Sequence, residues 1–263
     1  MIDVKDAVTK ARLLLPTQHV FLISHMRANT SVVSHLIGSH DDISGYYEMH
    51  IGYYSWKSLI NQKFIFHEQN VSEPLTPIYF DKLLHNDHGV NPALLGHQNV
   101  KCLFSIREPI ATINSIVKLY RSKHPEHPFT EQHNAAVYYC ERIQGIIDFA
   151  MAFEGDNAYL YYDAEALISD TETVLGEIQR YIGLDSPFET TYKQFAQTGK
   201  KTAGDSSENI LSGKVLQKKG DSTALDIDEE LLLQCQDAYV RCRTLLKSRS
   251  WVSEGVEPAT TVS

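Results

Sequence analysis

Short apolar runs of strand length alternate along this chain with stretches whose apolar residues recur at helical spacing. HVFLIS (His19–Ser24) leads into Val32, Val33, Leu36 and Ile37 on one helical face. VKCLFSI (Val100–Ile106) leads into a helix opened by Pro109, where a missing N–H costs nothing. Ile43–Tyr47, Ile78–Leu84 and Ala158–Tyr162 read as further strands. Helices are expected over Val4–Leu15, stopped by Pro16, over Tyr53–Gln62, over Ala136–Ala150, from the Asp170 cap to Gly183, and over Leu231–Leu245. Such alternation predicts a three-layer α/β fold with a central parallel sheet covered on both faces. Ligands of such sheets bind beyond the C-terminal strand ends, so the loops after Ser24, Tyr47, Asp81 and Ile106 are where chemistry is expected.

The 263 residues suit one large domain, expected over 1–252 with a disordered tail over 253–263. The net charge of −9 disfavours a broad nucleic-acid surface, which draws on many cations, but leaves room for one locally positive pocket. No apolar run approaches a membrane span, and the amphipathic N-terminus lacks a signal-peptide core. Cys102, Cys140, Cys235 and Cys242 form no CxxC and read as buried free thiols, which suits a reducing, cytoplasmic setting. The histidine pairs His85/His88 and His124/His127 lack matching second pairs, so no metal site is expected.

Two segments carry chemistry. SHMRANTS (Ser24–Ser31) runs from a strand into a helix, and the start of a helix favours anions. Arg27 adds a charged fork, Thr30 and Ser31 add hydroxyls, and Asn29 tolerates a left-handed backbone. The lysine-bearing G-x-x-x-x-G-K-[ST] loop is absent, which argues against a nucleotide held by its γ-phosphate. SIREPIATINS (Ser105–Ser115) puts Arg107 at a strand end and Ser115 two turns into the next helix, where both could reach one phosphate. The plainer reading is an Arg–Glu surface pair and an N-capped helix.

Together these segments resemble the PAPS-dependent sulfotransferase family, whose members carry a basic-S-G-T-[TS] loop and an R-x-P-x5-S element. Arg27, Thr30 and Ser31 match the first, with Ala28 for Ser and Asn29 for Gly; Arg107, Pro109 and Ser115 match the second. Tyr161–Leu184 is similar to the family's Y-[ED]-x-L segment, and Thr202–Val215 to its nucleotide-covering loop, so the resemblance spans residues 19–250. It implies a P-loop-like fold and transfer of a sulfuryl group from 3′-phosphoadenosine 5′-phosphosulfate to a hydroxyl or amine of a carbohydrate or small-molecule acceptor, without metal. It implies donor contacts from Arg27, Ala28, Asn29, Thr30, Ser31, Arg107, Ser115, Gly204 and Lys214. Just past the second strand, Glu48 and His50 are general-base candidates, with Glu48 preferred. Lys82 is expected to offset charge on the leaving phosphate or sulfuryl oxygens, its plainer reading being a solvated lysine, and His85 to contact the acceptor. Tyr46, Tyr47, Tyr53, Tyr54 and Trp56 suit a sugar or apolar acceptor, or simply core. Two alternatives stand beside this reading: a small-molecule kinase of related fold, and a non-catalytic nucleotide-binding module.

Overall fold

The computed structural model describes residues 4–71, 73–95, 97, 99–153, 159–195, 198, 210–217 and 220–252. The expected tail, 253–263, lies outside them. Five parallel strands, β1 (Gln18–Ile23), β2 (Ile43–Ser44), β3 (Ile78–Leu83), β4 (Val100–Ile106) and β5 (Leu160–Asp163), form one sheet in the order β2-β3-β1-β4-β5. The helices are α1 (Val4–Leu13), α2 (Thr30–Gly38), α3 (Trp56–Gln69), α4 (Pro109–Lys123), α5 (Gln132–Met151), α6 (Ala166–Ser169), α7 (Thr171–Ile182) and α8 (Glu229–Ser248).

The expected strands are present, the fifth shifted to Leu160–Asp163, and one strand and one helix differ more in extent. β2 is two residues long, because Gly45 turns away at φ 110°, in a position where a Cβ would run into the Phe80 carbonyl. The helix expected from Tyr53 starts at Trp56 and runs to Gln69, since Ser55 and Ser58 form a reciprocal capping box at its start. Asp170 accepts from the Thr173 N–H to begin α7, and Gly183 ends it in the left-handed region at φ 84°.

Alternate strand residues enter different cores. Phe21, Ile23, Leu83, Cys102, Phe104 and Ile106 pack with α4, α5 and α8. Val20, Leu22, Ile78, Phe80 and Leu103 pack with α2 and α7 on the other face. Adjacent β1 and β4 therefore send their chains to opposite faces, β1 into α2 and β4 into α4. That divergence opens a crevice between them at the C-terminal edge. The register keeps the strand ends level, with Ile23 beside both Leu83 and Phe104.

Of the five clustered aromatics, Tyr46, Tyr47 and Tyr53 are core, whereas Tyr54 and Trp56 are each 61% exposed. Among the described residues no helix is long and apolar enough to cross a membrane.

Candidate active site

The β1–α2 loop sits in the crevice with two non-glycine residues in the left-handed region, Arg27 (φ 67°) and Asn29 (φ 57°). Asparagine tolerates that region; its Nδ2 also donates to the Ala164 carbonyl at 2.8 Å, tying the loop to the end of β5. No side chain caps α2, so its first turn keeps the character of an anion site. α4 differs. The Glu108 carboxylate accepts from the Ile110 and Ala111 N–H groups at 3.0 and 2.6 Å and occupies that helix start itself. Of the two helix starts flanking the crevice, α2 is the one left for a phosphate.

The two motifs close on each other. Arg27 Nε donates to Ser115 Oγ at 2.9 Å, and Arg107 Nη1 donates to the Arg27 carbonyl at 3.0 Å. Arg107 is mostly buried, and desolvation lowers its pKa from the usual value. Glu165 lies 3.9 Å from its Nε, too far for a hydrogen bond, and that buried Nε has no hydrogen-bond partner. The surface Arg–Glu pair therefore gives way to a buried guanidinium, with Glu108 serving as a cap.

A cavity of about 1060 Å³ opens here. Its wall includes Arg27, Asn29, Thr30, Ser31, Arg107 and Ser115, all expected from the sequence, together with Lys214. Lys118 and Lys123 also line it, so among the described residues five cations face two carboxylates, Glu165 and Asp221, in a chain of net charge −9. Ala28 is buried and is not part of that wall, and Gly204 lies outside the described residues. Gly220 passes so close to Arg107 that a Cβ would stand 2.8 Å from Nη2, so this return segment comes directly over the guanidinium.

A second group lies at the ends of β2 and β3. Glu48 has a side chain only 11% exposed, and its Oε1 is buried without a hydrogen-bond partner. That oxygen lies 3.8 Å from His50 Nδ1 and 3.9 Å from His85 Nε2. Burial lowers the His85 pKa, while the nearby Glu48 charge raises it. The sequence points to His85 only as an acceptor contact; the structure brings it as close to the carboxylate as His50. Lys82 does not stand with them as a solvated lysine: it is 2% exposed and lies on the α2 face of β3, opposite Asp81.

Three residues that sequence reasoning missed join these groups. His25 Nε2 accepts the Arg107 N–H at 3.0 Å while its Nδ1 donates to the Met26 carbonyl at 2.9 Å. Arg142 on α5 donates to the Ser24 carbonyl (2.8 Å), the Leu83 carbonyl (2.7 Å) and Asn86 Oδ1 (2.7 Å), binding the ends of β1 and β3 together. Tyr138, also on α5, accepts the Met26 N–H at 3.1 Å, and its ring lies 6.2 Å from that of His85. The available signal was a polar or charged residue on an otherwise apolar helix stripe, as Arg142 is on α5.

The fold is that of the sulfotransferases. Mouse sulfotransferase SULT7A1, solved in complex with PAP, superposes with a TM-score of 0.54 over 89% of this chain and 89% of its own, at 13% identity. The sulfotransferase domain from the curacin biosynthetic pathway covers 90% of this chain and 99% of its own at 16% identity and TM-score 0.48. Likeness at such identity establishes the fold alone. No family model and no curated protein matches the sequence.

Proposed function

We propose that this protein is a sulfotransferase that moves a sulfuryl group from 3′-phosphoadenosine 5′-phosphosulfate to a hydroxyl or amine of a small-molecule or carbohydrate acceptor. The observation that carries the reading is the closure of two distant motifs on one cationic cavity, through the Arg27–Ser115 and Arg107–Arg27 hydrogen bonds. The sulfotransferase fold supports it, as does the PAP bound by the mouse protein. The residues fit such a nucleotide: the unpartnered Arg107 Nε and the uncapped start of α2 both ask for an anion.

In this reading Thr30, Ser31 and the α2 start hold the 5′-phosphate, and Arg27 stabilises charge that develops there. Arg107 and Ser115 hold the 3′-phosphate and fix the donor's register. The donor supplies the sulfuryl group. Glu48 takes the acceptor's proton: its buried, unpartnered Oε1 is an acceptor awaiting a donor, and His50 and His85 flank it. His50 is 53% exposed, which suits it less as the base. Lys82 and Gly204 have no role in this scheme.

Thermal shift is the first test. Adenosine 3′,5′-bisphosphate is expected to raise the melting midpoint more than ATP-Mg or ADP. A larger shift with ATP-Mg would favour a kinase, and no shift with any of them would remove the nucleotide site. Transfer of radiolabelled sulfate to a panel of sugars, lipids and phenols then separates an enzyme from a binding module and identifies the acceptor class.

A further inference from the structure

Helices α5 and α8 pack side by side, and their contact holds two of the four thiols together. Cys140 Sγ and Cys235 Sγ are 3.0 Å apart, across 95 residues of sequence. A disulfide needs about 2.05 Å, so an approach of roughly 1 Å would bring the sulfurs to bonding distance. The other two cysteines, Cys102 and Cys242, are buried.

The two sulfurs differ in surroundings. Cys235 is fully buried, with its Sγ 3.6 Å from the Ala136 carbonyl. Cys140 is half-buried and lines a separate cavity of about 540 Å³, whose charged wall holds Arg241 and the carboxylates Glu141, Asp148 and Asp237. One sulfur is therefore reachable from solvent and the other waits behind it. This is the arrangement of an attacking thiol with a resolving thiol. Hydrogen bonding between the two sulfurs lowers the Cys140 pKa against the opposing effects of burial and Glu141, and the same contact, with burial, raises that of Cys235.

We propose that Cys140 and Cys235 form a reversible, peroxide-responsive disulfide that locks α5 onto α8. The Cys140 thiolate attacks one oxygen of a hydroperoxide such as hydrogen peroxide. The O–O bond breaks, hydroxide leaves and takes a proton to become water, and Cys140 becomes a sulfenic acid. The Cys235 sulfur then attacks the Cys140 sulfur. The S–S bond forms, the S–O bond breaks, and a second water leaves with the Cys235 proton. Two thiols are oxidised by two electrons while one peroxide is reduced to two waters.

The crosslink would act on the helix that organises the site. α5 carries Tyr138, Tyr139 and Arg142, which hold Met26, Arg107 and Ser24 through the hydrogen bonds Met26 N–H to Tyr138, Tyr139 OH to the Arg107 carbonyl and Arg142 to the Ser24 carbonyl. Closing so long a loop also restricts the unfolded chain strongly. The proposal stands on the thiol geometry and is independent of the sulfotransferase reading.

The test uses the full chain, reduced, freed of reductant and exposed to equimolar hydrogen peroxide. Expected are a mass loss of two hydrogens, a non-reduced digest peptide joining Cys140 to Cys235, and a melting midpoint several degrees higher. Dithiothreitol should reverse all three. Cys140→Ser should abolish the joined peptide, and Cys235→Ala should leave Cys140 open to over-oxidation. A stable sulfinic acid on wild-type Cys140 with Cys235 still open to alkylation, or a joined peptide containing Cys102 or Cys242, would overturn the pairing. Since the wild-type digest decides the matter, poor folding of either variant does not protect the proposal.

Discussion

The Arg107 backbone N–H donates to His25 Nε2 at 3.0 Å, so the loops leaving β1 and β4 share one imidazole. Its tautomer is fixed by chemistry. An N–H can only donate and the Met26 carbonyl can only accept, so Nε2 is bare and Nδ1 carries the proton. Burial holds the His25 pKa down to about 3 and that of His19 to about 4, against 6.5 for a free imidazole.

Acid is therefore expected to destabilise the fold, through His25 at the donor site and through His19 at the opposite end of β1. Both imidazoles bind protons more readily in the unfolded chain. Their stabilisation is present above pH 6.5 and is lost as pH falls toward the folded values. Melting midpoints from pH 7 to pH 4 should fall in wild type and fall less in His25→Gln, which keeps an acceptor but cannot charge. Parallel slopes would show that His25 does not titrate as argued.

Arg107→Ala should weaken adenosine 3′,5′-bisphosphate binding by ~1.5–3 kcal/mol, the scale of a hydrogen bond to a charged group. Adenosine 5′-phosphate should lose far less. Calorimetric titration of both ligands checks this, and equal losses would detach Arg107 from the 3′-phosphate.

The Arg27–Ser115 hydrogen bond joins the two motifs, so their effects should not add. In a double-mutant cycle of Arg27→Ala and Ser115→Ala, read by nucleotide affinity, a coupling of ~0.5–3 kcal/mol is expected. Strict additivity would mean that each side chain acts alone.

Glu48→Gln should lower turnover by ~10²–10⁴ while donor affinity stays near wild type, the range for loss of a general base. His50→Asn and His85→Asn should cost less, because they flank the carboxylate rather than receive the proton. A large rate loss in His50→Asn with near-normal Glu48→Gln would transfer the role to His50.

Asp81 supports the Glu48 loop from below. Its carboxylate accepts from the Met49 N–H at 3.1 Å, the Lys82 N–H at 2.8 Å and the Tyr53 hydroxyl at 2.6 Å. Desolvation, with Glu48 nearby, nonetheless raises its pKa to about 7. The folded state thus keeps a proton that the unfolded chain gives up near 3.8, so the stability it contributes is full below pH 3.8 and is lost as pH rises from there through about 7. Asparagine can accept from both N–H groups with Oδ1 and donate to the Tyr53 oxygen with Nδ2. The advantage of Asp81→Asn over wild type should therefore be smallest at pH 4 and grow toward pH 8, as read by urea unfolding. Equal destabilisation at both pH values would refute the assignment.

Local chemistry explains what the linear chain revealed. The strands at β1, β3 and β4 and the helix starting at Pro109 follow from apolar period and turn residues. The left-handed Asn29 and the α7 stop at Gly183 follow from backbone sterics. Arg27, Thr30, Ser31, Arg107 and Ser115 were legible because each lies next to a strand end or in the helix after it, and those positions face a ligand in any open parallel sheet. What tertiary structure decided lies between elements far apart in sequence. The order β2-β3-β1-β4-β5 sets the β2 and β3 loops side by side, and so brings His85 to Glu48. The same packing buries Lys82, makes His25 a shared acceptor for Arg107, and sets Cys140 against Cys235. None of these has a local signature. Each is fixed by which apolar faces find one another, and the hydrogen bonds and thiol contacts follow once water has been excluded from between them.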